Sequence, residues 1–182
     1  VGMTNATLIF FMQFRIRKLF KYIWNSWAMK IASIVGTRPN FMKIAALVDE
    51  IKRHNIDHLL IHTGQHYDYE MSRIFFKNLK IPEPNYNLGI GSAEHNAQIK
   101  KMADGLDKIF LNEKPDLVIV FGDTNSTLAG AKTASKLGIK LAHIESGMRS
   151  FDKTMPEEIN RIETDMISDI LFCSTKTAVD NL

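Results

Sequence analysis

Three groups of acidic residues stand where apolar runs end: Gly122-Asp123-Thr124, His143-Ile144-Glu145-Ser146-Gly147 and Pro156-Glu157-Glu158. The first two follow strand-like runs at 117–121 and 139–142. In an open α/β sheet the carboxyl ends of the strands face the ligand crevice, so carboxylates there are placed to move protons on a bound molecule. Two of the groups have a plainer alternative. Asp123 is a good N-cap for a helix starting at Thr124 or Asn125. Glu157 and Glu158 suit the positive end of a helix dipole, and Glu157 is spaced to pair with Arg161 one turn on. Glu145 is harder to place otherwise. It ends a buried strand between His143 and Gly147, with Arg149 close by, where a lone carboxylate is costly unless paired or used.

The complementary cations lie earlier. Val35-Gly36-Thr37-Arg38-Pro39 joins the first strand to the first helix, and Lys43 follows one turn later. A helix start offers free N–H groups to an anion, and Arg38 can clamp a phosphate bidentately. The segment is neither GxGxxG nor a P-loop, and the alternative is an ordinary turn with a surface arginine. The histidines (His54, His58, His62, His66, His95, His143) form no HExxH pattern, so no metal site is expected. No GxSxG elbow is present, which disfavours a serine hydrolase.

These residues require a scaffold of alternating elements. Strands are predicted at 31–35, 58–62, 117–121, 141–144 and 170–173. Helices are predicted from Pro39 to about Asn55, then at 69–79, 93–112, 126–137 and 157–168. The proline-broken loop 81–88 has room for one short strand. Strands alternating with helices imply right-handed crossovers and an α/β fold, a doubly wound parallel sheet covered on both faces.

At 182 residues and 45% hydrophobic, the chain suits one domain with a real core. The single Cys173 excludes an internal disulfide and fits a reducing compartment, hence a cytoplasmic location. No apolar run approaches the roughly 20 residues of a membrane span. The net charge of +3 is misleading, because Arg15, Arg17, Lys18 and Lys21 sit in a stretch without acids and residues 30–182 sum to −1. A nucleic-acid partner is therefore not indicated. Residues 1–28 read as a basic, aromatic leader outside the domain. They are either an upstream stretch without a role or an amphipathic helix at a membrane surface. The domain is expected at 29–182. A last helix capped by Ser174 or Thr175 has few residues before Leu182, and the expectation is a chain cut short.

Taken together, Gly36-Thr37-Arg38-Pro39 with Lys43, Thr63-Gly64-Gln65-His66-Tyr67, Gly122-Asp123-Thr124, His143 to Arg149 and Pro156 to Arg161 resemble the non-hydrolysing UDP-N-acetylglucosamine 2-epimerase family. The resemblance implies the first, Rossmann-like domain of a two-domain enzyme similar to GT-B glycosyltransferases. It implies a UDP-sugar as substrate, no cofactor and no metal, and a homodimer at full length. By resemblance Asp123, Glu145 and Glu157 are the acid/base carboxylates. Arg38, Lys43, His143, Arg149 and Arg161 are implied on the substrate, the first two toward its diphosphate. The family reaction eliminates UDP to a 2-acetamidoglucal and adds it back after protonation on the opposite face of C2. Relatives often carry Glu where this chain has Asn40, which leaves the sugar open, for example a 2,3-diacetamido uronic acid. A hydrolysing relative and a non-catalytic nucleotide-sugar-binding fragment are the competing functions.

Overall fold

The computed structural model describes residues 29–65 and 69–182. The 1–28 leader, and His66 and Tyr67 of the Gln65 motif, lie outside the described residues. Six strands form one sheet: β1 (Lys30–Val35), β2 (Asp57–His62), β3 (Tyr86–Asn87), β4 (Leu117–Phe121), β5 (Lys140–Ser146) and β6 (Ile170–Cys173). Their order is β3-β2-β1-β4-β5-β6, and every pairing is parallel. The helices are α1 (Arg38–Arg53), α2 (Tyr69–Asn78), α3 (His95–Glu113), α4 (Asn125–Lys136), α5 (Pro156–Ile167) and α6 (Lys176–Asp180). This is the expected doubly wound α/β arrangement. β3 is the short strand in the proline-broken loop, paired through Tyr86 and Asn87 to β2.

Alternation along the central strands builds two cores. Ile31, Val35, Leu117, Ile119 and Phe121 face one side, against Phe41, Ile44, Leu47 and Ile51 of α1 and Phe76 of α2. Ala32, Ile34, Val118 and Val120 face the other, against Met102, Leu106 and Phe110 of α3 and Leu128 of α4. Both faces being covered, these strands read as continuous apolar runs. Their burial is the main stabilising term of the fold.

The strand order reverses between β1 and β4. A crevice opens outside the carboxyl ends of the strands at such a switch point. The β1–α1 connection and the Gly122-Asp123-Thr124 turn flank it from either side.

One buried and one half-buried histidine set an acid limit on this fold. Burial lowers His58 to about 4, with Asp57 opposing and Lys52 adding. Burial also lowers His62 to about 4, against a hydrogen bond to Asn87. An unfolded histidine titrates near 6.5. Between those values the unfolded chain binds protons that the folded chain excludes, so stability falls as pH falls through that window. The loss is on the order of 3 kcal/mol per histidine over the whole window. Urea unfolding is expected to be independent of pH above about 7 and to weaken steadily from about 6.5 toward 4. Constant stability across that window would contradict it.

Candidate active site

The first connection is tied down by Asn40. Its Oδ1 accepts from the Gly36 N–H at 3.1 Å, the Thr37 N–H at 3.1 Å and the Thr37 hydroxyl at 3.0 Å. Its Nδ2 donates to the Phe121 carbonyl at 3.0 Å. Asn40 is buried. It therefore joins the ends of β1 and β4, with its side chain spent on these contacts. A glutamate there would lack the amide donor for Phe121.

At the end of β4, Thr124 is the N-cap of α4, its hydroxyl accepting from the Thr127 N–H at 3.3 Å. Asp123 is thereby spared capping. Its carboxylate instead accepts from Arg161 Nη2. The same Nη2 lies 3.9 Å from Glu145 Oε2, and Lys43 Nζ is ion-paired with that oxygen. Asp123, Glu145, Lys43 and Arg161 thus form one alternating network of two carboxylates and two cations. It is half-buried, with Arg161 at 9% and Asp123 at 33% side-chain exposure. Lys43, expected toward a diphosphate, engages Glu145 here.

Glu157 is exposed and lines an open cleft of about 400 Å³ together with Asp123, Thr37, Gln65 and Asn160. The alternative i,i+4 pair is not formed, because Arg161 turns to Asp123 and Glu145. Its neighbour Glu158 is buried and structural. It accepts from the Ser150 N–H at 2.8 Å, the Ser150 hydroxyl at 3.0 Å and the Phe151 N–H at 3.2 Å. Burial pushes Glu158 up, but these bonds and the Arg149 charge outweigh it and hold it below its ordinary value.

Three expected contacts fall elsewhere. Arg38 is exposed and stacks over the Phe75 ring, 5.1 Å from its centroid, outside the cleft lining. His143 is fully buried, Nδ1 on Asp165 and Nε2 on the Gly122 carbonyl, both at 2.7 Å. Arg149 pairs with Asp165 at 2.7 Å and so does not neutralise Glu145. Burial pushes the Asp165 carboxyl up, but hydrogen bonds and charge from His143, then Arg149 and the Gly147 N–H, hold it below its ordinary value.

Residues that sequence reasoning missed make the floor. Asn160 donates to the Asp123 carbonyl and to Asn125 Oδ1, both at 3.0 Å. Asn125 donates to Gln98 at 2.8 Å. Gln65 Oε1 accepts from the Ser126 N–H at 3.0 Å and its hydroxyl at 2.6 Å. Asp165 and Asn160 lie among the buried residues of α5, which are Glu158, Asn160, Arg161, Thr164 and Asp165, all polar. The available signal was the helical spacing of 158, 161 and 165, one polar stripe on a helix that must pack. Among the described residues no cluster of histidine, cysteine and acidic side chains has the makings of a metal site.

A family model described as UDP-N-acetylglucosamine 2-epimerase matches residues 49–182. The chain belongs to this epimerase family. A UDP-N-acetylglucosamine 2-epimerase homolog of Methanococcus maripaludis is 60% identical over 154 residues, 85% of this chain and 43% of the relative. A UDP-2,3-diacetamido-2,3-dideoxy-D-glucuronate 2-epimerase of Pseudomonas aeruginosa is 52% identical over 85% of this chain and 44% of its own length. Among solved structures, the epimerase of Methanocaldococcus jannaschii in complex with UDP-GlcNAc and UDP matches at TM-score 0.82 and 52% identity. That match covers 84% of this chain and 42% of the other. This epimerase-family chain therefore spans under half the length of these relatives.

Proposed function

We propose that this chain forms the acid/base wall of a UDP-N-acetylglucosamine 2-epimerase. The observation that carries the reading is the meeting of Asp123 and Glu145 on Arg161 at the sheet's carboxyl edge, with Glu157 on the cleft beside Asp123. Inverting C2 breaks its C–H bond, forms a C1–C2 double bond and releases UDP. Return of a proton to the opposite face and of UDP to C1 completes the inversion. More than one positioned acid/base is needed, because the proton leaves one face and returns to the other. Departing diphosphate calls for cationic stabilisation. Arg161 and Lys43 are the cations paired with the carboxylates.

A second sugar, the 2,3-diacetamido uronic acid, is favoured by the Pseudomonas relative, as similar at 52% as the Methanocaldococcus epimerase. The reading also carries a homodimer and a cytoplasmic setting. The exposed Ile159 and Met166 of α5, with Met155 just before it, offer an apolar surface to a second copy. The buried free Cys173 suits a reducing compartment. No helix among the described residues is long and apolar enough to cross a membrane.

The test is epimerisation followed by proton NMR. A protein of the relatives' length that carries this chain is expected to convert UDP-GlcNAc to UDP-ManNAc. The 182-residue chain by itself is expected not to, since a one-walled cleft does not exclude water. Epimerised product from the isolated chain would overturn the second expectation. Absence of product from the longer protein with either sugar nucleotide would overturn the reading.

A further inference from the structure

The inner side of α5 holds a carboxylate that the proposed chemistry does not use. Asp165 is 5% exposed. Its Oδ1 takes the hydrogen bond of His143 Nδ1 at 2.7 Å. Its Oδ2 accepts from Arg149 Nη1 at 2.7 Å and from the Gly147 N–H at 3.1 Å. The other nitrogen of His143 points at the Gly122 carbonyl oxygen, 2.7 Å away. Both ring nitrogens of His143 are thus engaged, one by the Asp165 carboxylate and one by the Gly122 carbonyl.

These bonds bracket the two strand-end carboxylates. Gly122 immediately precedes Asp123 and is held on its other side by its N–H to the Ile144 carbonyl at 2.9 Å. Glu145 lies midway between His143 and Gly147, the two residues of β5 and its end that Asp165 grips. The backbone of Glu145 is left-handed, φ +74°, at the irregularity where β5 pairing with β6 slips between Ile144 and Ser146. A non-glycine residue in that region persists only where its surroundings over-determine it. Asp165 supplies that constraint from both flanks.

We propose that Asp165 is a positioning residue: through His143 it fixes the Gly122-Asp123 turn, and through His143 and Gly147 it fixes the bend that aims Glu145. Two carboxylates of the site are then set by a third that touches neither. The inference rests on the epimerase reading for its functional half only, since the bracketing itself is geometric.

The test has a structural arm and a kinetic arm. In amide NMR spectra of the chain, Asp165→Asn is expected to move the resonances of Gly122, Asp123, Glu145 and Gly147. His143→Gln is expected to move Gly122 and Asp123 more than Gly147. Glu158→Gln, a buried carboxylate on the same helix that holds the 150–151 loop instead, is expected to leave all four in place. In a protein of the relatives' length that carries this chain, Asp165→Asn is expected to lower kcat per folded molecule about 10-fold or more, with KM within about 3-fold of wild type. A merely structural role lowers the folded fraction and leaves kcat per folded molecule alone. Should Asp165→Asn fail to fold, His143→Gln carries both arms. Unmoved resonances, or moved resonances with unchanged kcat, overturn the proposal. Moved resonances with an inactive wild type sink the epimerase reading and leave the positioning of the two carboxylates standing.

Discussion

In a protein of the relatives' length that carries this chain, Asp123→Asn, Glu145→Gln and Glu157→Gln are each expected to lower epimerase turnover about 100-fold or more, the usual scale for acid/base groups. The three differ in what else they disturb. Glu157 is exposed and Arg161 turns away from it, so its loss is expected to change stability by less than about 0.5 kcal/mol. Glu145→Gln strips Lys43 of its partner at 12% side-chain exposure, for a cost of about 1–3 kcal/mol. Asp123→Asn leaves Arg161 with Glu145 at 3.9 Å and is expected to fall between them. Glu157 is the most discriminating of the three. A dipole role alone predicts near-normal turnover and at most about 1 kcal/mol of stability.

Gly147→Ala is expected to be the most damaging single methyl in the domain. Gly147 has φ +74°, and an added Cβ meets the Ala178 carbonyl of α6, a backbone group that cannot swing aside. Strain and overlap together are expected to cost about 3 kcal/mol or more. That is a fall of roughly 6–12 °C in Tm for a chain of this size. Gly138→Ala is the control. Its φ is +69° but its Cβ meets nothing within 4 Å, so only the backbone term remains, about 1–2 kcal/mol. Equal losses at the two positions would show that the Ala178 contact does not matter. Because the Gly147 N–H also binds Asp165, the same substitution in a protein of the relatives' length is expected to lower activity as well.

The strand-end carboxylates were legible because a parallel sheet announces itself in continuous apolar runs, and the residue after each run must lie at the crevice. Asp123 and Glu145 followed from that rule before any contact was known. Glu157 did not, since an acid in a first helical turn has a sufficient dipole explanation, and family resemblance was what raised it. The partners of the charges were misread. Arg149 is near Glu145 in sequence but reaches Asp165, while Glu145 finds Lys43 from α1, 102 positions away. Sequence proximity says little about pairing across a crossover. Helix α5 was the least legible element. Helical hydrophobicity read alone turns Ile159, Ile162 and Met166 inward. Instead Asn160, Arg161, Thr164 and Asp165 are buried, and Ile159 and Met166 are exposed. Burying polar groups costs free energy unless each finds a partner. Here Asn160 Nδ2 and Arg161 Nη2 find theirs on the turn after β4, at the start of α4 and on Glu145 of β5. Asp165 finds its own on β5 and the residues just after it, while Asn160 Oδ1, Arg161 Nε and Thr164 Oγ1 are buried without a partner among the described residues.

The most direct measurement of the central claim is the fate of the C2 proton. Incubation of UDP-GlcNAc in D₂O with a protein of the relatives' length that carries this chain, followed by proton NMR, reads it without reference to rate. The account predicts that UDP-ManNAc forms with deuterium at C2, and that Asp123→Asn, Glu145→Gln and Glu157→Gln suppress product and deuterium together. Epimerised product that retains its original C2 proton, or undiminished exchange in all three variants, would contradict it.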